Sequence, residues 1–118
     1  MKKLLFTSIC VIFLCIFVQA QTPLKDTIRT VFENDKMKVT EYISTPGKDV
    51  CGIGKHSHPA HLNITMTDIK GSVTGADGKT QNFDVPEGST FWSEADTHVA
   101  INNGDKPARL YIIELKNQ

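Results

Sequence analysis

His56-Ser57-His58-Pro59-Ala60-His61 places three of the chain's four histidines within six residues. Alternate residues of an extended segment point to one side. His56 and His58 can therefore aim two imidazoles at one centre from positions about 7 Å apart along the chain. Neutral imidazole is the commonest protein ligand for zinc, iron, copper and nickel. A lone histidine in a surface loop would carry no such meaning, whereas His-x-His-x-x-His reads as a metal motif. The fourth, His98, lies far downstream in Thr97-His98-Val99-Ala100-Ile101-Asn102. One shared metal requires a fold that closes these two stretches on each other.

The sequence around the cluster reads as short strands. Leu62, Ile64 and Met66 alternate with Asn63, Thr65 and Thr67, the pattern of a half-buried strand over 62–67. His61 shares the face of Asn63 and Thr65; polar residues facing a barrel interior line a ligand cavity, and facing water they carry no special meaning. Further strands are expected at 30–33, 37–43, 70–74, 81–85, 90–93, 97–101 and 109–115. A weaker one over 50–55 contains Gly52 and Gly54. Asn34-Asp35-Lys36, Thr45-Pro46-Gly47, Ala76-Asp77-Gly78-Lys79 and Pro86-Glu87-Gly88 punctuate them as turns. Asp77-Gly78 supplies the positive φ that a tight hairpin needs. Past residue 20 no ten-residue segment shows helical periodicity with start and stop signals. The expectation is an all-β, mostly antiparallel sandwich or barrel.

Residues 1–20 read as a secretory signal peptide. Lys2 and Lys3 precede an apolar run from Leu4 to Val18, and Val18-Gln19-Ala20 offers small residues for cleavage before Gln21. The run is shorter than the roughly 20 residues of a membrane-spanning helix. Residues 21–27 are expected to form a flexible leader and 28–116 one β-barrel domain, periplasmic or secreted. Cleavage leaves eleven basic against thirteen acidic residues, a net charge of −2. Nothing is basic enough to favour nucleic acid, or a membrane surface after cleavage. Of three cysteines only Cys51 remains, so no disulfide forms within one mature chain. A small exported domain without a disulfide needs a good core, a bound metal or a partner subunit. That argues for a metal and a homodimer.

Here the chain resembles the small single-domain cupins. Pro46-Gly47 opens the family's first motif, and His56-Ser57-His58-Pro59 matches its His-x-His core. His98 with Asn102 matches the His-x-x-x-Asn close of the second, and Gly88 stands ahead of it. The departures are a longer loop before His56, no glutamate at the usual ligand position, and Glu94 and Asp96 where Pro and Gly are usual. The resemblance covers most of the mature chain and implies a jelly-roll β-barrel. It also implies His56, His58, His61 and His98 around one metal, with His61 replacing the glutamate.

Nitrogen ligands suit iron(II), zinc, nickel or copper better than magnesium or calcium. Glu94 and Asp96 are candidate bases or supports for an imidazole, though either could be ordinary solvated charge. Asn63, Thr65 and Trp92 are candidate substrate contacts. Trp92 alternates with Phe91, so one of the two should face inward, and core packing is the plainer role for both. Cys51 reads first as a small buried hydrophobe and second as a soft ligand or redox thiol. The resemblance implies dioxygenase, isomerase or lyase chemistry on a small polar or anionic molecule. A ligand-binding barrel without turnover, and a barrel with a purely structural metal, are the alternatives.

Overall fold

The computed structural model describes residues 21–116. The signal-peptide reading therefore lies outside the described residues. Nine strands follow in order: Thr27–Glu33 (β1), Met37–Ser44 (β2), His56–His58 (β3), His61–Thr65 (β4), Ile69–Gly75 (β5), Thr80–Val85 (β6), Thr90–Ser93 (β7), Asp96–Asn102 (β8) and Ala108–Leu115 (β9). Among the described residues there is no helix. Every pairing is antiparallel, in a five-stranded sheet β1-β2-β9-β4-β7 and a four-stranded sheet β3-β8-β5-β6. The chain alternates between sheets as a jelly roll does.

The expected alternation decides which side chains face the interior. On β9 Ala108, Leu110 and Ile112 are buried. They meet Tyr42, Ile69 and Ala100 in the core between the sheets. On β4 His61, Asn63 and Thr65 are buried while Leu62 and Ile64 are half-exposed. The polar phase of this strand thus faces inward, which the sequence pattern alone left open between cavity and solvent. The opposite face of the larger sheet carries an apolar row. Phe32, Val39, Ile113, Leu62 and Trp92 stand in register across all five strands.

On that outer face Glu41 is 1% exposed. It accepts hydrogen bonds from Arg29 Nε, Arg109 Nε and the Tyr111 hydroxyl. Burial alone would raise its pKa, but the two guanidiniums and the phenol more than offset this and hold the carboxyl below its ordinary range.

The expected strand over 50–55 is not formed. This segment makes one isolated bridge, Asp49 to Ile101, and Val50 N–H donates to the Ala100 carbonyl at 2.8 Å. It then bends away. Gly54 turns the chain with φ +58°, and the His56 ring lies against Gly52 where a Cβ would stand, 2.4 Å from Cγ. The loop is shaped to receive an imidazole, and a regular strand would fill that space with a side chain. At the other end of the chain, the expected leader is tied down at Asp26. Its carboxylate accepts from both the amide and the hydroxyl of Thr45, at 2.7 and 2.8 Å.

Candidate metal centre

Strand β3 is an edge strand of three residues that pairs only with β8. Its register places His56 opposite His98 and His58 opposite Asp96. His56, His58 and His98 therefore share one face of the sheet, as the two distant sequence stretches required. The fourth member of this candidate donor group is Cys51 of the preceding loop. Donor atoms of Cys51, His56, His58 and His98 all lie within 4.8 Å of one another. The Cys51 Sγ is 3.5 Å from His56 Nε2 and 3.4 Å from His98 Nε2. Bonds of about 2.0–2.3 Å to a tetrahedral ion would put neighbouring donors roughly 3.3–3.7 Å apart. These two spacings already match, and the longest needs to close by only about 1 Å.

The hydrogen bonds around the rings fix the tautomers of His56 and His98. His56 Nδ1 donates to the Gly54 carbonyl at 2.7 Å. His98 Nδ1 faces Asp96 Oδ2 and His58 Nδ1 faces Glu114 Oε1, each at 3.3 Å. A carbonyl and a carboxylate can only accept, so Nδ1 of His56 and of His98 carries the proton and Nε2 keeps its lone pair, whereas both nitrogens of His58 face an acceptor. For His98 this is the arrangement in which an outer carboxylate orients a metal-binding imidazole. His58 Nε2 lies 2.9 Å from the Cys51 carbonyl. A neutral ring donates to one of these neighbours at a time, so a metal bound at Nε2 would take the place of the Cys51 carbonyl contact and leave the proton on Nδ1, facing Glu114. Burial holds His58 and His98 below the ordinary imidazole pKa, against the raising effect of their carboxylate partners. Burial, with some help from Asp49, pushes the Cys51 thiol up to about 12. A divalent ion there would displace that proton outright.

The remaining predicted residues divide. His61 is 3% exposed and lies outside the four-donor group. Its Nδ1 donates to the Pro59 carbonyl at 2.7 Å, and its ring centroid stands 5.1 Å from that of His58. The cause is register: His61 belongs to β4 in the other sheet, opposite Ser93 and Glu114. Asp96 supports His98, whereas Glu94 accepts from the Trp92 indole at 3.0 Å on the exposed surface. Trp92 is 46% exposed and lies in the outer row of the sheet. Its neighbour Phe91 takes the inward place and lines the barrel cavity. Asn63 and Thr65 also line that cavity. Asn102 holds a turn, donating to the Ser44 and Lys106 carbonyls and accepting from Gly104 N–H.

The cavity has a volume of about 250 Å³ between the sheets, and Cys51 and His98 form part of its wall. Cys51 also lines an outer groove, together with His56, His58 and Glu114. The donors thus stand in the barrel wall between an interior space and the surface. Cys51 had a sequence signal, its place five residues before His56, but a small buried hydrophobe was the plainer reading. The signal for Glu114 was subtler: it continues the inward phase of Leu110 and Ile112, where a carboxylate is out of place without a partner.

No protein-family model and no curated protein matches the sequence. Solved structures do match. A cupin domain from Bordetella pertussis is 22% identical with a TM-score of 0.70, covering 82% of this chain and 99% of that one. An RmlC-like cupin family protein with a double-stranded β-helix fold, from Methanocaldococcus jannaschii, is 11% identical with a TM-score of 0.62. That match covers 78% of this chain and 81% of the other. A cupin superfamily protein from Desulfitobacterium hafniense is 13% identical with a TM-score of 0.58, covering 82% and 83%. The strand order, the antiparallel pairing and these likenesses agree: the chain has the cupin fold, a small all-β jelly roll with a His/Cys cluster that could bind a metal.

Proposed function

We propose that the protein is an exported metalloenzyme that holds one divalent transition metal through Cys51, His56, His58 and His98 and acts on a small molecule in the adjoining cavity. The observation that carries this reading is that two of the four donors, Cys51 and His98, line the same interior cavity. A bound ion would supply Lewis-acid activation of a substrate oxygen or sulfur, in oxygenase, isomerase or lyase chemistry. Gly54 and Asp96 hold the Nδ1 protons of His56 and His98 so that both Nε2 atoms face the Cys51 sulfur, and Glu114 stands ready to take the Nδ1 proton of His58 once Nε2 meets a metal. The thiolate lowers the site's net charge from +2 to +1 compared with an all-histidine site. It also favours zinc, iron(II), nickel or copper over magnesium.

A structural metal is the second reading, supported by the near-tetrahedral spacing around Cys51. Four protein donors close a zinc site but leave positions free on an ion that takes five or six ligands. Metal analysis of protein purified without a histidine tag tests the first point, with one metal per chain expected and His58→Ala reducing it to near zero. Cobalt substitution followed by azide tests the second. A spectral change on adding azide supports an open position, and an unchanged four-coordinate spectrum would leave only the structural role.

Two further parts of the proposal concern context. The chain leaves the cytoplasm and matures by cleavage before Gln21, which N-terminal sequencing of the exported protein checks. It also forms a homodimer through the apolar row on the five-stranded sheet. Phe32 and Trp92, 51% and 46% exposed, stand at the two ends of that row. Light scattering on Trp92→Lys is expected to report a monomer.

A further inference from the structure

We infer that the interior cavity takes a neutral, largely apolar molecule carrying a hydroxyl, and that His61 and Asn63 receive that hydroxyl. The inference rests on the reading of the cavity as the place where substrate meets the metal, and it goes against a polar or anionic ligand. Among the described residues no lysine or arginine lines the space, and Phe83 and Phe91 are among the mainly apolar side chains that do. At interior packing density, about 250 Å³ holds roughly ten non-hydrogen atoms. That is below the range of about 300–1,000 Å³ usual for drug-sized ligands.

Three polar residues on β4 break the apolar lining; the Thr65 hydroxyl is spent on the Pro86 carbonyl at 2.8 Å, and the hydrogen bonds of the other two decide what they can still do. His61 Nδ1 donates to the Pro59 carbonyl, which leaves Nε2 as a bare acceptor on a buried ring lining the cavity. Asn63 Nδ2 donates to Ser93 Oγ at 2.8 Å and to the Phe91 carbonyl at 3.4 Å. Because a carbonyl cannot donate, the amide orientation is fixed, and Oδ1 is left as an acceptor without a partner among the described residues. Residues 61 and 63 lie on the same inward face of one strand. They offer two acceptors, and Ser93, whose oxygen is taken by Asn63, keeps a hydroxyl proton beside them; such a set suits a hydroxyl, which both donates and accepts, better than a carboxylate, which only accepts. A site with buried polar groups of this kind discriminates strongly against an isostere that leaves them unpaired.

The test uses three probes of nearly one size (phenol, toluene and benzoate), with binding measured by calorimetry on metal-loaded and chelator-stripped protein. Phenol is expected to bind at least tenfold tighter than benzoate in the stripped form. Asn63→Leu and His61→Phe are each expected to shift the phenol-to-toluene affinity ratio about five- to tenfold toward toluene. Retained toluene binding shows that the variant cavity is intact. Benzoate binding as tightly as phenol in stripped protein would overturn the inference, as would a ratio that both variants leave unchanged. If stripping unfolds the protein, the variants in the metal-loaded form decide the same question. Failure of the metalloenzyme reading is separate: it is an absence of bound metal, and the hydroxyl preference would persist without it.

Discussion

Gly52→Ala adds one methyl group at the point where the candidate metal centre is most tightly fitted. The new Cβ would stand 2.4 Å from His56 Cγ and Nδ1 and 2.5 Å from Cδ2. These are the root and both near corners of the ring, so turning the far end of the side chain gives no relief. The imidazole must swing about its Cα–Cβ bond, breaking the 2.7 Å bond from Nδ1 to Gly54 and drawing Nε2 away from the Cys51 sulfur. Loss of the hydrogen bond costs about 1 kcal/mol. Overpacking adds about 1–3 kcal/mol, at the lower end here because His56 is only half-buried and can move outward. Roughly 2 kcal/mol in a domain of this size lowers Tm by about 8–16 °C. Metal affinity is expected to fall by more than the ~10–100-fold typical of losing a single outer hydrogen-bond partner, because a ligand itself is displaced. Scanning calorimetry reads the first quantity and cobalt titration, followed through the thiolate charge-transfer band, reads the second. A variant that melts lower but titrates like the parent would refute the placement of His56 among the donors. One that does neither would refute the loop geometry.

Other consequences are equally direct. His61→Ala is expected to leave the metal content at one per chain, because its ring lies outside the donor group; loss of metal by atomic absorption would restore it as a ligand. Glu114→Gln keeps the shape but weakens the support of His58 Nδ1, and a drop of about 10–100-fold in metal affinity is expected from competition with a chelator. For the metal-free protein, His58 and His98 have folded pKa values below the ordinary 6.5. The unfolded chain therefore binds more protons as pH falls through 6.5. The stability from keeping these rings neutral is present above that value and is lost toward the lower folded values. Urea unfolding from pH 7.5 to 5 is expected to show this decline, and a flat profile would contradict it. Glu41→Gln removes a buried charge from two guanidiniums, and a loss of about 1–3 kcal/mol is expected in the same assay.

Much of the barrel was legible because period-two alternation is strong where one face of a strand is buried. Strand 90–93 falls as expected, and 37–43, 81–85, 97–101 and 109–115 fall within one residue at each end. The segment over 50–55 was misread for a physical reason. Val50 and Cys51 are buried like strand residues, but they are held by a single bridge and by the ring of His56. Contact with a distant side chain has no period. The same limit explains why Cys51, and not His61, joins the three-histidine group. Spacing along the chain favoured His61, three residues from His58, yet two intervening residues carry the chain across to the other sheet. Cys51, seven residues before His58, folds back onto it. Asn63 and Thr65 were legible as cavity residues because they share the inward phase of one strand. Choosing between Phe91 and Trp92 needed the register of β7 against β4, which neither side chain reveals.

Strand β3 has a partner on one side only, and it is three residues long. Its free edge leaves backbone amides and carbonyls open to a passing strand of another molecule, the usual seed of edge-to-edge aggregation. The two histidines that make up most of this strand are also half of the donor set, and the loop before it supplies a third donor. Metal loading would therefore pin the weakest edge of the barrel to β8 from the inside. Amide exchange at residues 51–58 would be slow in the loaded protein and fast in the stripped one. The concentration at which the stripped protein stays dispersed would then depend on a strand that spans scarcely 10 Å.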